Sequence, residues 1–168
     1  RRTFARTYRT LMLEKVGVTW AGVDDDEADD ELLRELLELF AAVETDFAIG
    51  FRALADVPLA AAATLADVDL VAPLAPAFYR DPSHAVVERW AAWLRRYAVR
   101  AAREPGGLAA RAARMARVNP VIVLRNYLVQ RAIEAAEGGE LASVHRLLTA
   151  ARRPYDVDPA YADLVARR

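Results

Sequence analysis

A chain of 168 residues, 55% hydrophobic and 28% charged, is long enough to bury a core and too apolar to remain disordered. Its formal net charge of −1 excludes any general pull toward nucleic acid or an anionic membrane surface. Without cysteine it can form neither a disulfide framework nor a thiolate metal site, and it contains no run of about 18 apolar residues to span a bilayer. The basic residues are almost all arginine, with Lys15 the sole lysine, a bias that alanine-rich, arginine-rich genomic composition accounts for. The opening residues, Arg1-Arg2-Thr3, carry no initiator methionine and no secretory pattern, so the chain is expected to be a fragment of a longer one.

Residues 3–16 are predicted helical, with Phe4, Tyr8, Leu11 and Met12 on one face and Gly17 as the stop. A connector, 18–23, carries Trp20. The acidic run 24–31 lacks the alternating acids and central glycine of a calcium loop. It reads better as acids gathered at a helix N-terminus, where the macrodipole favours them. That helix runs to about Val43 and buries Leu32, Leu33, Leu36, Leu37, Leu39 and Phe40. Thr45 or Asp46 then caps a short helix striped by Phe47, Phe51 and Leu54. Gly50 inside it costs about 1 kcal/mol relative to alanine, which close approach of another helix would explain.

Val57-Pro58 ends that helix. Residues 59–82, broken by Pro73, Pro76 and Pro82, are expected as short helical pieces (59–66 and 68–79). They could form a joint between two halves, although they are too apolar for a free linker. Residues 83–103 are the clearest amphipathic helix. Val86, Trp90, Trp93, Leu94, Tyr97 and Ala101 form its stripe, and Arg89, Arg95, Arg96, Arg100 and Arg103 line much of the rest. Arginines interleaved with aromatics can bind nucleic acid, but both tryptophans lie on the apolar stripe, so a core stripe with a solvated face is the better reading. Glu104-Pro105-Gly106-Gly107 breaks the chain before an Ala/Arg helix, 108–117.

Asn119 and Pro120 look like an N-cap and first helical residue, and Gly138-Gly139 like the stop of a helix about five turns long. On that helix Val121, Leu124, Leu128 and Ala132 share an apolar arc, Asn126, Gln130 and Glu134 lie opposite, and Arg125 falls inside the arc. The pattern predicts a buried central element whose Arg125 must find a partner or snorkel out. Residues 140–151 form the last substantial helix, with Leu141, Val144, Leu147 and Leu148 inward. Arg153-Pro154-Tyr155 ends it, and 159–165 adds a final turn or two. No strand-like alternation occurs. The expected fold is all-α, an orthogonal or antiparallel bundle of about six to eight helices, in one helical domain over 1–168 with a possible joint near 57–82.

No phosphate-binding glycine loop, nucleophile elbow or zinc-protease motif is present. His84 and His145 stand far apart without partners at ligand spacing. From these residues alone the chain looks like a helical module without its own catalytic centre.

Longer motifs carry a resemblance. Asn119-Pro120, Val123-Leu124-Arg125-Asn126-Tyr127-Leu128, Gln130 and Ala132-Ile133 through Ala136 resemble the selenoprotein O (SelO, YdiU) pattern N-P-x-x-V-L-R-N-Y-L-x-Q-x-A-I-x-x-A. In the same order, Lys15-Val16-Gly17 resembles the family's K-L-G. Asp46-Phe47 with Phe51-Arg52-Ala53-Leu54 resembles D-[YF]-T-x-x-F-R-x-L, departing at Ala48. Trp93-Leu94 with Tyr97 and Arg100 resembles W-L-x-x-Y-x-x-R, and Arg153-Pro154-Tyr155 resembles R-P-Y. The resemblance spans about 10 to 157.

It implies the C-terminal part of a kinase-like protein that binds ATP in a flipped orientation and, with Mg²⁺, transfers AMP to Ser, Thr or Tyr of proteins. The family's catalytic and metal-binding residues would lie upstream, so no catalytic, cofactor or metal residue is carried over here. The implied partners are that N-terminal kinase-like portion and the modified proteins, in a bacterial cytoplasm, with neither nucleic acid nor membrane. Asn119, Pro120, Leu124, Arg125, Asn126, Tyr127 and Gln130 are carried over as structural residues. Arg125 either pairs with a carboxylate, Asp46 first and Glu88 second, or meets the upstream portion; Asn126 is a buried clamp or a surface residue. Two other classes stay open: a non-enzymatic helical interaction module, and a helical ligand or dimerisation domain of a regulator.

Overall fold

Four aromatic side chains in contact, Phe40, Trp90, Trp93 and Tyr97, form the axis around which residues 1–119 are assembled. The computed structural model describes residues 2–19 and 26–165. Trp20, Asp24 and Asp25, singled out above, lie outside the described residues. The chain divides into two compact units, Arg1–Asn119 and Pro120–Arg168. Among the described residues all regular structure is helical: nine α-helices, two of them of only five and four residues, plus short 3-10 segments.

The first unit contains α1 (Arg2–Lys15), α2 (Asp26–Ala42), α3 (Phe47–Ala53), α4 (Asp67–Val71), α5 (His84–Ala101) and α6 (Gly107–Val118). The predicted stripe of α5 is its buried side: Trp90, Trp93, Leu94, Tyr97 and Ala101 are all inaccessible to solvent. It packs on α2 and α4, and the Trp93 indole Nε1 donates to Leu32 O at 3.0 Å, satisfying the one polar atom that this side chain takes into the core. Asp46 caps α3, its carboxylate accepting from Ile49 N at 3.0 Å. A Cβ at Gly50 would lie 2.8 Å from Phe40 Cζ and 3.1 Å from Thr45 Cγ2, so the expected close approach is made by α2 and the turn that follows it.

Residues 57–82 belong to this unit. Leu59, Leu70, Val71, Leu74 and Phe78 are buried, with α4 against α5 and the 3-10 segment Ala72–Ala77 against α3. Pro73 and Pro76 make an α-helix over 72–77 unfavourable. The segment ends in a clasp: Asp46 N donates to Ala77 O at 2.8 Å and Tyr79 N to Glu44 O at 3.2 Å.

On α1 the buried side is Met12 and Leu13, continued by Val16 just past its end, whereas Phe4, Tyr8 and Leu11 are exposed. The helix is apolar on two sides, and periodicity does not say which one faces the core.

The second unit contains α7 (Asn126–Glu137), α8 (Ala142–Ala151) and α9 (Ala162–Val165) around Ile122, Leu128, Ala150 and Leu164. The expected helix start at Asn119-Pro120 is overturned. Asn119 is the C-cap of α6, in extended conformation (φ −103°, ψ 106°), and α7 begins only at Asn126, with Arg125 at its N-cap position. A proline ring disfavours the helical region for the residue before it. Val121 and Ile122 then direct their amides to Pro154 O at 2.7 and 2.9 Å instead of into a helix.

The helix is therefore 12 residues long rather than about five turns, and Arg125 is not on its face. Nor is it the buried central element, a role that α5 fills: only Leu128 and Ala132 of α7 are buried. The Gly138-Gly139 stop is present, with Gly139 at φ +88°. On α8, Ala150 is buried and Leu147 half-buried, while Val144, Leu148 and the N-cap residue Leu141, expected inward, are exposed.

Candidate functional site

The motif residues of the first unit meet at the ends of α3 and α6. An α-helix leaves its last carbonyls without intrahelical donors, and cationic donors are favourable there. Arg52, from α3, donates through Nη1 to Ala116 O and Asn119 O, both at 2.9 Å, at the C-terminus of α6. Arg111, from α6, donates through Nη2 to Leu54 O and Ala55 O, both at 3.4 Å, just past the C-terminus of α3. Each helix thus supplies the arginine that covers the other's end. The planar guanidinium, with several donors, suits two carbonyls better than an ammonium would.

Arg111 is 1% exposed and also donates to the Tyr97 hydroxyl and to Met115 Sδ at 3.0 Å, with its guanidinium 5.2 Å from the Tyr97 ring centre. Tyr97 in turn donates to Val16 O. Burial pushes the Tyr97 pKa up to about 12, against the opposing pull of the Arg111 charge.

Asn119, fully buried, donates through Nδ2 to Lys15 O at 2.7 Å. The Lys15 ammonium sits 5.4 Å from the Phe51 ring centre, and burial lowers its pKa. Gly17 has φ +69°, and a Cβ there would lie 2.6 Å from Arg111 Cγ and 2.7 Å from Met115 Cγ. Backbone conformation and space therefore both require glycine.

A second buried cluster joins the acidic helix to the α5–α6 turn. Arg100 grips Asp29 through Nε (2.8 Å) and Nη2 (3.1 Å) and reaches Glu104 through Nη1 (2.9 Å). Glu104 also accepts from Thr19 N (3.0 Å), the Thr19 hydroxyl (2.7 Å) and Arg114 Nη2 (2.9 Å). Burial opposes the charge on Arg100, but the hydrogen bonds and charges of Asp29 and Glu104 outweigh it and raise its pKa.

These contacts join motifs far apart in sequence, and among the described residues there is no group of three His, Cys, Asp or Glu able to hold a metal. Each buried carboxylate is engaged: Asp29 and Glu104 as above, Asp46 as a helix cap that also accepts from the Tyr79 hydroxyl at 3.3 Å.

Of the remaining residues singled out in the sequence, Pro120 opens the second unit. Leu124 and Asn126 are exposed, Arg125 is half-buried, and Tyr127 packs on that unit's core. Gln130 is exposed and donates to Glu134 at 3.1 Å. Asp46 belongs to the first unit and Arg125 to the second. Glu88 faces His84 one turn earlier at 3.5 Å. Sequence reasoning missed Arg111 and Glu104. The signal for Arg111 was available, since it shares a stripe with Leu108 and Met115 at i, i+3, i+7 spacing.

The first unit is thus a helical framework whose buried polar residues cross-link its own elements. A family model described as protein adenylyltransferase SelO matches residues 1–152, and the chain belongs to that family. It is 40% identical to the protein nucleotidyltransferase YdiU of Nitrosospira multiformis, over 99% of this chain and 32% of that relative. It is 39% identical to the YdiU protein of Aeromonas salmonicida (94% of this chain, 30% of the relative) and 37% identical to that of Pseudomonas putida (93% and 29%). The chain therefore spans about a third of the length of the curated relatives it matches.

Proposed function

We propose that this chain is the helical supporting segment of a protein adenylyltransferase, and that the polypeptide containing it transfers AMP from ATP to Ser, Thr or Tyr of other proteins in the bacterial cytoplasm. The observation that carries the supporting role is the engagement of the motif residues Lys15, Gly17, Arg52, Tyr97, Arg100 and Asn119 in packing and hydrogen bonds between helices of the first unit. They hold elements together.

The buried carboxylates of the described residues are not free to hold Mg²⁺. Magnesium needs carboxylate oxygens that are free to face it, and the buried carboxylates here are committed to arginines, Thr19 or the α3 cap. Nucleotide and metal belong to the part of the polypeptide outside this third. Nucleotidyl transfer depends on positioning, so a stiff helical framework contributes to rate without being a catalytic group.

The full-length polypeptide, given ATP labelled on the α-phosphate with Mg²⁺, is expected to label protein hydroxyls, while the 168-residue chain alone labels nothing. A full-length protein that labels no protein, itself included, would overturn the reading. Among the described residues no helix is long and apolar enough to cross a membrane.

A further inference from the structure

The second unit buries little of what it has. It is a unit of roughly fifty residues, a size at which a core alone is marginal. Its core cluster is Ile122, Leu128, Ala150 and Leu164. Meanwhile Val129 (36%), Ile133 (46%), Val144 (38%) and Leu148 (49%) remain exposed.

These four are not scattered. The helices α7 and α8 contact each other and are joined by only four residues, so they form an antiparallel hairpin. At about 100° per residue, Val129 and Ile133 are displaced about 100° from the Leu128–Ala132 side of α7. Val144 and Leu148 are displaced by a similar angle, in the same rotational sense, from the Leu147–Ala150 side of α8. In an antiparallel pair, equal displacements of that kind fall on one side of the hairpin. Each helix therefore has a second apolar stripe, and the two stripes lie side by side.

The hairpin is not a private appendage, because the family match runs through residue 152 and includes both helices. Yet this chain aligns with only 32%, 30% and 29% of the three relatives. More than two thirds of a relative's polypeptide is available to cover a face that is part of the shared fold. We infer that the Val129–Ile133–Val144–Leu148 face is the docking seat for the part of the adenylyltransferase polypeptide outside this third, and that burial there completes the core of the second unit. The inference rests on the proposed reading that the chain works as a segment of such a polypeptide.

The test compares amide hydrogen exchange in two proteins: this chain alone, and a chimera in which it replaces the aligned third of the Nitrosospira multiformis relative. Amides of α7 and α8 are expected to exchange at least about tenfold more slowly in the chimera. Ile133→Glu with Leu148→Glu should abolish that protection in the chimera and leave exchange in the isolated chain unchanged, because there both side chains face water. Equal exchange in the two proteins overturns the inference. So does an isolated chain that sediments as a dimer and is split by the same two substitutions, which would make the occupant a second copy. If the chimera does not fold, the intact relative measured over the stretch aligned with 126–151 supplies the same comparison. No AMP transfer is read, so failure of the docking inference and failure of the catalytic proposal are separate results.

Discussion

Residues 1–119 and 120–168 use the same residue types to different effect. In the first unit the largest side chains point inward, and five of its arginines, Arg52, Arg95, Arg100, Arg111 and Arg114, donate to main-chain carbonyls outside their own helices. In the second unit no aromatic side chain is buried among the described residues. Its arginine cross-link, Arg146 to Asp163 at 2.6 Å and to Ala160 O at 2.6 Å, is at the surface, where screening weakens it. A buried arginine needs a framework that holds its partners still. The first unit has that framework in its aromatic core, and the second does not.

The sharpest way to break this comparison is to separate the units. Residues 1–119 alone are expected to unfold cooperatively, and 120–168 alone to show little helix by circular dichroism. A folded 120–168 peptide would mean that its thin core suffices.

Next in size is Glu104→Gln. It leaves Arg100 and Arg114 facing a neutral amide in a largely buried cluster, and urea unfolding should register a loss of roughly 3 kcal/mol. A loss below about 1 kcal/mol would put the pair with ordinary surface bridges.

The third test uses pH. A phenol whose pKa rises on folding, here from 10.0 to about 12, contributes stability that is complete below pH 10 and is lost as pH climbs toward 12. About 2 kcal/mol should disappear over that window, read from urea midpoints. Tyr97→Phe should be less stable at neutral pH and show a shallower alkaline decline; an identical slope would assign the decline to other tyrosines.

The smallest effect is expected at Glu44, the one described non-glycine residue with positive φ (45°), on the exposed side of the Thr45–Phe78 clasp. Glu44→Gly should raise stability by a few tenths of a kcal/mol up to about 1, unless loss of the surface ion pair with Arg80 cancels the gain. Thermal melting decides the sign.

The α5 stripe was legible because six apolar positions repeat without a break. The Asp46 cap and the Gly50 contact were legible because each follows from a local rule. The Asn119-Pro120 step was not. Asn-Pro is equally the start of one helix and the end of another, and the choice is settled by Pro154 O, a residue more than thirty positions away that accepts the Val121 and Ile122 amides. Once the helix start was misplaced, Arg125 fell onto an apolar face it does not occupy. The arginine that does share an apolar stripe, Arg111, lies in an Ala/Arg helix whose hydrophobic pattern is weak. The family, by contrast, was legible from its motifs over most of the chain.

The placement of the tryptophans has an optical consequence. Trp90 and Trp93 stand edge to face in the first unit, 5.9 Å apart, and the second unit contains no tryptophan at all. Indole emission therefore follows the melting of residues 1–119 only, whereas far-ultraviolet ellipticity sums over every helix. Recording both signals in one denaturant titration of the unlabelled, unmutated protein measures how tightly the two units are thermodynamically linked: coincident curves mean a single cooperative system, and an early ellipticity shoulder that leaves the emission unchanged is the second unit melting by itself.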